Sequence, residues 1–126
     1  MNNNLKEITI VLIAYKSAIK IKRFVKNIPS SVKILIIDNS KDHNLKKIFK
    51  NKKNVKIYFK KNEGYGSSIN YASKIIKTKY FLVVQPDVIG IKKTSLLSFN
   101  KYAKILKDKF AVIGPHFKNA SKNASN

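Results

Sequence analysis

The sequence predicts an α/β fold built on a mostly parallel sheet, and three observations carry that expectation. Short runs of apolar, β-branched residues recur along the chain, too short for helices, and the first two carry the signature of buried strands. Segments with apolar residues at helical spacing separate them. Polar turn residues, Asp38 and Asp87 among them, stand directly after the runs.

Ile8-Thr9-Ile10-Val11-Leu12-Ile13 reads as the first strand, followed by a turn at Lys16-Ser17. Ser17 can cap the next helix, whose Ile21, Phe24, Val25 and Ile28 fall on one face up to Pro29. Val32-Lys33-Ile34-Leu35-Ile36-Ile37 repeats the buried-strand signature and stops at Asp38-Asn39-Ser40. A short helical stretch over residues 45–49 leads to a third strand, Val55-Lys56-Ile57-Tyr58-Phe59, which runs into Asn62-Glu63-Gly64-Tyr65-Gly66. A helix over residues 67–77 follows.

Tyr80-Phe81-Leu82-Val83-Val84 is the fourth strand, closed by Gln85-Pro86-Asp87, where proline fixes its own φ and pushes Gln85 out of the helical region. Leu96, Leu97, Phe99, Tyr102, Ala103 and Leu106 mark a helix within residues 91–106, and Phe110-Ala111-Val112-Ile113 is a fifth strand. Strict alternation of strand and helix implies right-handed crossovers and helices on both faces of the sheet, a Rossmann-like layered architecture.

The 126 residues suffice for one domain with a real core, expected over residues 1–115. Residues 116–126 repeat Lys-Asn-Ala-Ser twice with nothing apolar enough to bury, and are expected to be a disordered tail. Asn119 and Asn123 open glycosylation acceptor patterns, but no signal-peptide pattern makes modification an expectation.

With no cysteine, disulfide frameworks and thiolate metal sites are excluded. The longest apolar run, from Ile8 to Tyr15, is far short of the roughly 20 residues of a membrane-spanning helix, so the chain reads as soluble, and the absence of cysteine fits a reducing cytoplasm. The formal charge of +21, from 27 basic and 6 acidic residues, favours anionic partners: nucleic acid, anionic lipid, or a phosphorylated small molecule. Arg23 is the sole arginine, whereas specific readers of bases and phosphates rely on the bidentate guanidinium fork, so no specific nucleic acid is expected. Basic clusters at Lys46-Lys47 and Lys50 to Lys53 suit a peripheral contact with anionic lipid at the inner face of the membrane.

In open α/β sheets ligands sit beyond the carboxyl ends of the strands, which directs attention to Tyr15, Asp38, Asn62 to Gly66, and Asp87. Asp38 can accept hydrogen bonds from a nucleoside, or can serve as a strand-ending turn residue. Asp87 can ligate a hard divalent cation bridging a diphosphate, or can belong to a plain Pro-Asp turn. Gly64 and Gly66 can let backbone approach a phosphate at a helix N-terminus. Asn70 is a poor helix former inside an expected helix, unless its amide bonds something. His43 and His116 have no metal-like spacing.

Ala14-Tyr15-Lys16, Ile37-Asp38-Asn39-Ser40, the string from Asn62 to Asn70, and Gln85-Pro86-Asp87-Val88 together resemble family 2 glycosyltransferases of the GT-A fold, most closely the rhamnosyltransferase-like branch. The resemblance implies a three-layer GT-A sandwich, of which this chain would be the N-terminal part, stopping after about five strands. It implies a UDP- or dTDP-linked sugar as donor and a saccharide or lipid-linked acceptor in polysaccharide or glycolipid synthesis. By it, Ala14, Tyr15, Asp38, Asn62, Gly64, Gly66, Asn70 and Gln85 would form the donor site, and Asp87 would hold Mg or Mn.

Three positions depart from the family's pattern: Lys16 stands where Asn is frequent, Ile69 where Arg is frequent, and Gln85 in place of the first metal-site Asp. The carboxylate base of such enzymes lies in a later segment, so none is named here and transfer by this chain alone is not expected. Two other classes compete. A dinucleotide-binding domain would explain Gly64-x-Gly66 with Asp87 about 20 residues on, but Ile69 occupies the third glycine position. A nucleic-acid-binding module would explain the charge and aromatics such as Tyr58, Phe59, Tyr65 and Tyr71.

Overall fold

The computed structural model describes residues 3–107. After a 3₁₀ turn, Asn3–Glu7, the elements run β1 (Ile8–Ala14), α1 (Ala18–Lys26), β2 (Lys33–Asp38), α2 (Asn44–Ile48), β3 (Val55–Phe59), α3 (Tyr65–Ile75), β4 (Tyr80–Val84) and α4 (Lys93–Ile105). The described strands form one sheet in the order β3-β2-β1-β4, with every pairing parallel. The α/β class expected from the sequence is therefore the observed one.

Burial explains the apolar runs. β1 lies between β2 and β4 and is buried along all 7 residues, because both its faces are covered. Ile10, Leu12 and Ala14 of β1 and Ile34 and Ile36 of β2 pack with Ile21, Phe24 and Val25 of α1, Leu45 of α2 and Leu96 of α4. The alternate residues, Val11, Ile13, Leu35 and Ile37, pack on the opposite face with Ala72, Ile69 and Ile75 of α3. The period-2 alternation of a strand thus feeds two separate cores.

The register sets the upper edge. Ala14 is level with Asp38, and Asp38 with Phe59, so β1, β2 and β3 end in one row. The chain moves outward from β1 through β2 to β3, then returns to the far side of β1 as β4. The reversal makes a switch point between β1 and β4, where crevices form in such sheets.

Local chemistry moves some helix ends from their expected places. α3 begins at Tyr65, two residues before the expected start, because Gly64 at φ 102° and ψ 162° is the N-cap and Gly66 lies inside the first turn. Ser17 occupies the N-cap position of α1, but its hydroxyl makes no cap bond and instead donates to the Tyr15 carbonyl at 3.3 Å. The expected fifth strand and the polar tail at 116–126 lie outside the described residues. Among the described residues no helix is long and apolar enough to cross a membrane.

Candidate functional site

The row of strand ends is knitted together by polar side chains. Asp38 is fully buried, and its carboxylate accepts three hydrogen bonds: from the Ser40 N–H (2.9 Å) and hydroxyl (2.7 Å) at Oδ1, and from the Asp42 N–H (2.6 Å) at Oδ2. Ser40 Oγ in turn accepts the Lys16 N–H at 2.9 Å, which joins the loop after β1 to the loop after β2. Asn39 donates its N–H to the Ala14 carbonyl (2.8 Å) and accepts the Ser68 hydroxyl of α3 at Oδ1 (3.0 Å). The Lys60 N–H completes the set, donating to the Asp38 carbonyl at 2.9 Å.

These bonds converge on the carboxyl edge of β1, β2 and β3, where Tyr15 is 56% exposed and available to a planar ligand. Lys16 adopts φ 50°, a left-handed conformation that turns the chain sharply from β1 into α1. Asn62 is exposed and accepts the Gly64 N–H at 3.3 Å, an Asx turn that presents the N-terminus of α3. No side chain caps that helix, so its first amides are free of intrahelical partners. The Lys60 ammonium stands beside them, donating to Ser67 Oγ at 2.9 Å and lying 3.9 Å from Glu63. Partial burial pushes the Tyr65 phenol above its ordinary pKa of 10.0, so it stays a proton donor at neutral pH.

Gly64 and Gly66 differ in what they require. Gly64 at φ 102° needs glycine for backbone reasons. Gly66 has no such φ, and among the described residues a Cβ there would meet nothing within 4 Å. Neither packing nor backbone accounts for glycine at position 66, in a helical turn where alanine is favoured.

The structure thus brings Ala14, Tyr15, Asp38, Asn62, Gly64 and Gly66 to one edge. Asn70 is exposed on α3, without a side-chain hydrogen bond among the described residues. Gln85 and Asp87 belong to the β4 side: the Gln85 carbonyl accepts the Val88 N–H at 3.1 Å, and Asp87 lines a groove of about 160 Å³ with Lys20, Arg23 and Asn27 of the α1 region. Among the described residues no group of three or more His, Cys, Asp and Glu side chains converges, and His43 packs edge-on against Phe59. One exposed carboxylate in a groove shared with two cations does not suit a resident divalent ion, which needs several oxygen ligands.

Asn39, Ser40, Lys60 and Ser68 hold the site together, although sequence reasoning gave them no separate roles. Ser68, fully buried in the first turns of α3, was the detectable signal, since a hydroxyl on an apolar helix face needs a partner.

The sequence profile of glycosyl transferase family 2 matches residues 9–111. A crystal structure of S. aureus TarS, residues 1–349, is similar with a TM-score of 0.65 at 19% identity, a likeness of fold. The similarity covers 89% of this chain, which spans 40% of the TarS chain. No curated protein matches the sequence. With the family match extending from β1 through every described strand and both knitted loops, the chain belongs to glycosyl transferase family 2.

Proposed function

We propose that this domain binds a nucleoside-diphosphate sugar at the carboxyl edge of β1, β2 and β3, as the donor for sugar transfer to a saccharide or lipid-linked acceptor. The observation that carries the reading is Gly66. It is a glycine that neither fold nor packing requires, in the uncapped first turn of α3 beside the Lys60 ammonium. A phosphate approaching helix amides supplies the missing reason, because the amides and the macrodipole favour an anion there.

Tyr15 supplies a ring against the base, and Asn62 an amide at the rim of the pocket. Asp38 acts as a positioning residue, since its carboxylate already holds the backbone of Ser40 and Asp42. Any divalent cation enters with the nucleotide as part of the substrate. The UDP- or dTDP-linked donor, with rhamnose as the branch-specific sugar, and a cytoplasmic site of action belong to the same proposal.

Calorimetric titration with UDP, dTDP and NAD, with a short DNA duplex as competitor, tests the reading. Saturable one-to-one binding of UDP or dTDP in the micromolar to millimolar range is expected, without binding of NAD. Binding of the DNA duplex with no response to either nucleotide contradicts it and favours the nucleic-acid module.

A further inference from the structure

A second basic feature lies on the α1 side of the sheet, beside the loop that follows β4. α1 carries Lys20, Lys22, Arg23 and Lys26 outside its buried stripe of Ile21, Phe24 and Val25. It has no acidic residue in its first turn, and none of these cations enters the ion pairs Lys60–Glu63 and Lys104–Glu7. α2 packs beside α1 on the same face of the sheet and adds Lys46 and Lys47. Across from α1, residues 86–91 close a groove with an apolar floor of Phe24, Pro86 and Ile91, and with Lys20 and Arg23 on its wall.

Two large aliphatic side chains are left in water here. Ile19, beside Lys20 on α1, is 76% exposed, and Ile89, which lines the groove, is 89% exposed. Cations interleaved with solvated isoleucines are the composition of an interfacial surface, where apolar groups enter the acyl boundary while lysines meet anionic headgroups. A nucleic acid gains from exposed aromatics and arginine forks. The exposed aromatics Tyr15, Tyr58, Tyr65, Phe81 and Tyr102 all lie outside α1, α2 and the groove.

We propose that the face made by α1, α2 and the loop at 86–91 docks on an anionic lipid bilayer, with a lipid phosphate held by Lys20 and Arg23 and with Ile19 and Ile89 entering the interface. Asp87 at the groove's rim is its one acid, which leaves the polar lining net cationic. The inference is independent of what binds at the carboxyl edge of β1, β2 and β3.

The test is co-sedimentation of the full chain with vesicles of phosphatidylcholine alone, or with one third phosphatidylglycerol. Binding only to the anionic vesicles is expected, falling at least tenfold in Lys20→Glu/Arg23→Glu. Lys74→Glu/Lys77→Glu, on the α3 side of the sheet, carries the same charge change and is expected to lose less than threefold. Ile19→Ser/Ile89→Ser keeps the charge and is expected to lose several-fold. Equal losses in the two charge reversals would reduce the effect to diffuse charge and overturn the proposal. So would an isoleucine variant that binds like the parent, or a DNA duplex that displaces the vesicles and is itself lost on mutation of Lys20 and Arg23. Circular dichroism of each variant verifies folding.

Discussion

Asp38 Oδ1 accepts both the backbone N–H and the hydroxyl of Ser40, and that same hydroxyl oxygen accepts the Lys16 N–H, so one buried carboxylate governs the loops after β1 and β2. The aspartate that ends β2 is thereby a structural group before it is a ligand-binding one.

Asp38→Ala removes three hydrogen bonds to a buried carboxylate and leaves their donors unpaired. About 3 kcal/mol of stability is expected to be lost, with Ser40→Ala costing about 1 to 2 kcal/mol. Urea unfolding of both single variants and the double variant checks this, and the double is expected to lose less than the sum because the residues share one network. An Asp38→Ala protein as stable as the parent would mean that the carboxylate does not hold these loops.

At position 16 a lysine adopts φ 50°, in the left-handed region that asparagine and glycine tolerate best. Replacement by asparagine, the residue frequent there in the family that the sequence resembles, is expected to stabilise the chain by up to about 1 kcal/mol. The midpoint of thermal unfolding should rise by a few degrees. A fall would show that the Lys16 side chain contributes more than its backbone strain costs.

The two glycines of α3 should behave oppositely. Gly64→Ala forces an L-residue to φ 102° and is expected to cost about 1 to 3 kcal/mol. Gly66→Ala meets no neighbouring atom and is expected to stabilise the helix by about 0.5 to 1 kcal/mol. Chemical unfolding of both variants separates these signs.

Asn100 of α4 is 1% exposed, and neither its amide nitrogen nor its oxygen has a partner among the described residues. Unpaired buried amides cost about 1 to 3 kcal/mol, so Asn100→Leu, which keeps the number and branching of the side-chain heavy atoms, is expected to raise stability within that range. Loss of stability instead would point to an ordered water satisfying the amide.

Much of the fold was legible because β1 and β2 are buried, and β3 and β4 partly buried, in ways whose demands are visible in one chain segment. Val55–Phe59 and Tyr80–Val84 fall where the apolar runs place them, and Ile8–Ala14 extends its run by one residue. Helix starts were less legible, since Gly66 reads as a break from sequence while Gly64 alone makes the turn. At the site, Tyr15, Asp38 and the Asn62 to Gly66 loop announce themselves by following strands. The bond from Ser68 to Asn39 spans 29 residues and depends on α3 covering the face that β2 presents, which no local pattern encodes. The company of Asp87 was equally hidden: that β4 returns beside β1, and its loop faces Lys20 and Arg23, follows from strand order.

The central claim is that a phosphate approaches the backbone of α3 at Gly66, and calorimetric titration of Gly66→Ala with the better-bound of UDP and dTDP tests it most directly. The account predicts a folded variant at least as stable as the parent whose nucleotide affinity is at least tenfold weaker. A variant that binds the nucleotide as tightly as the parent would contradict it.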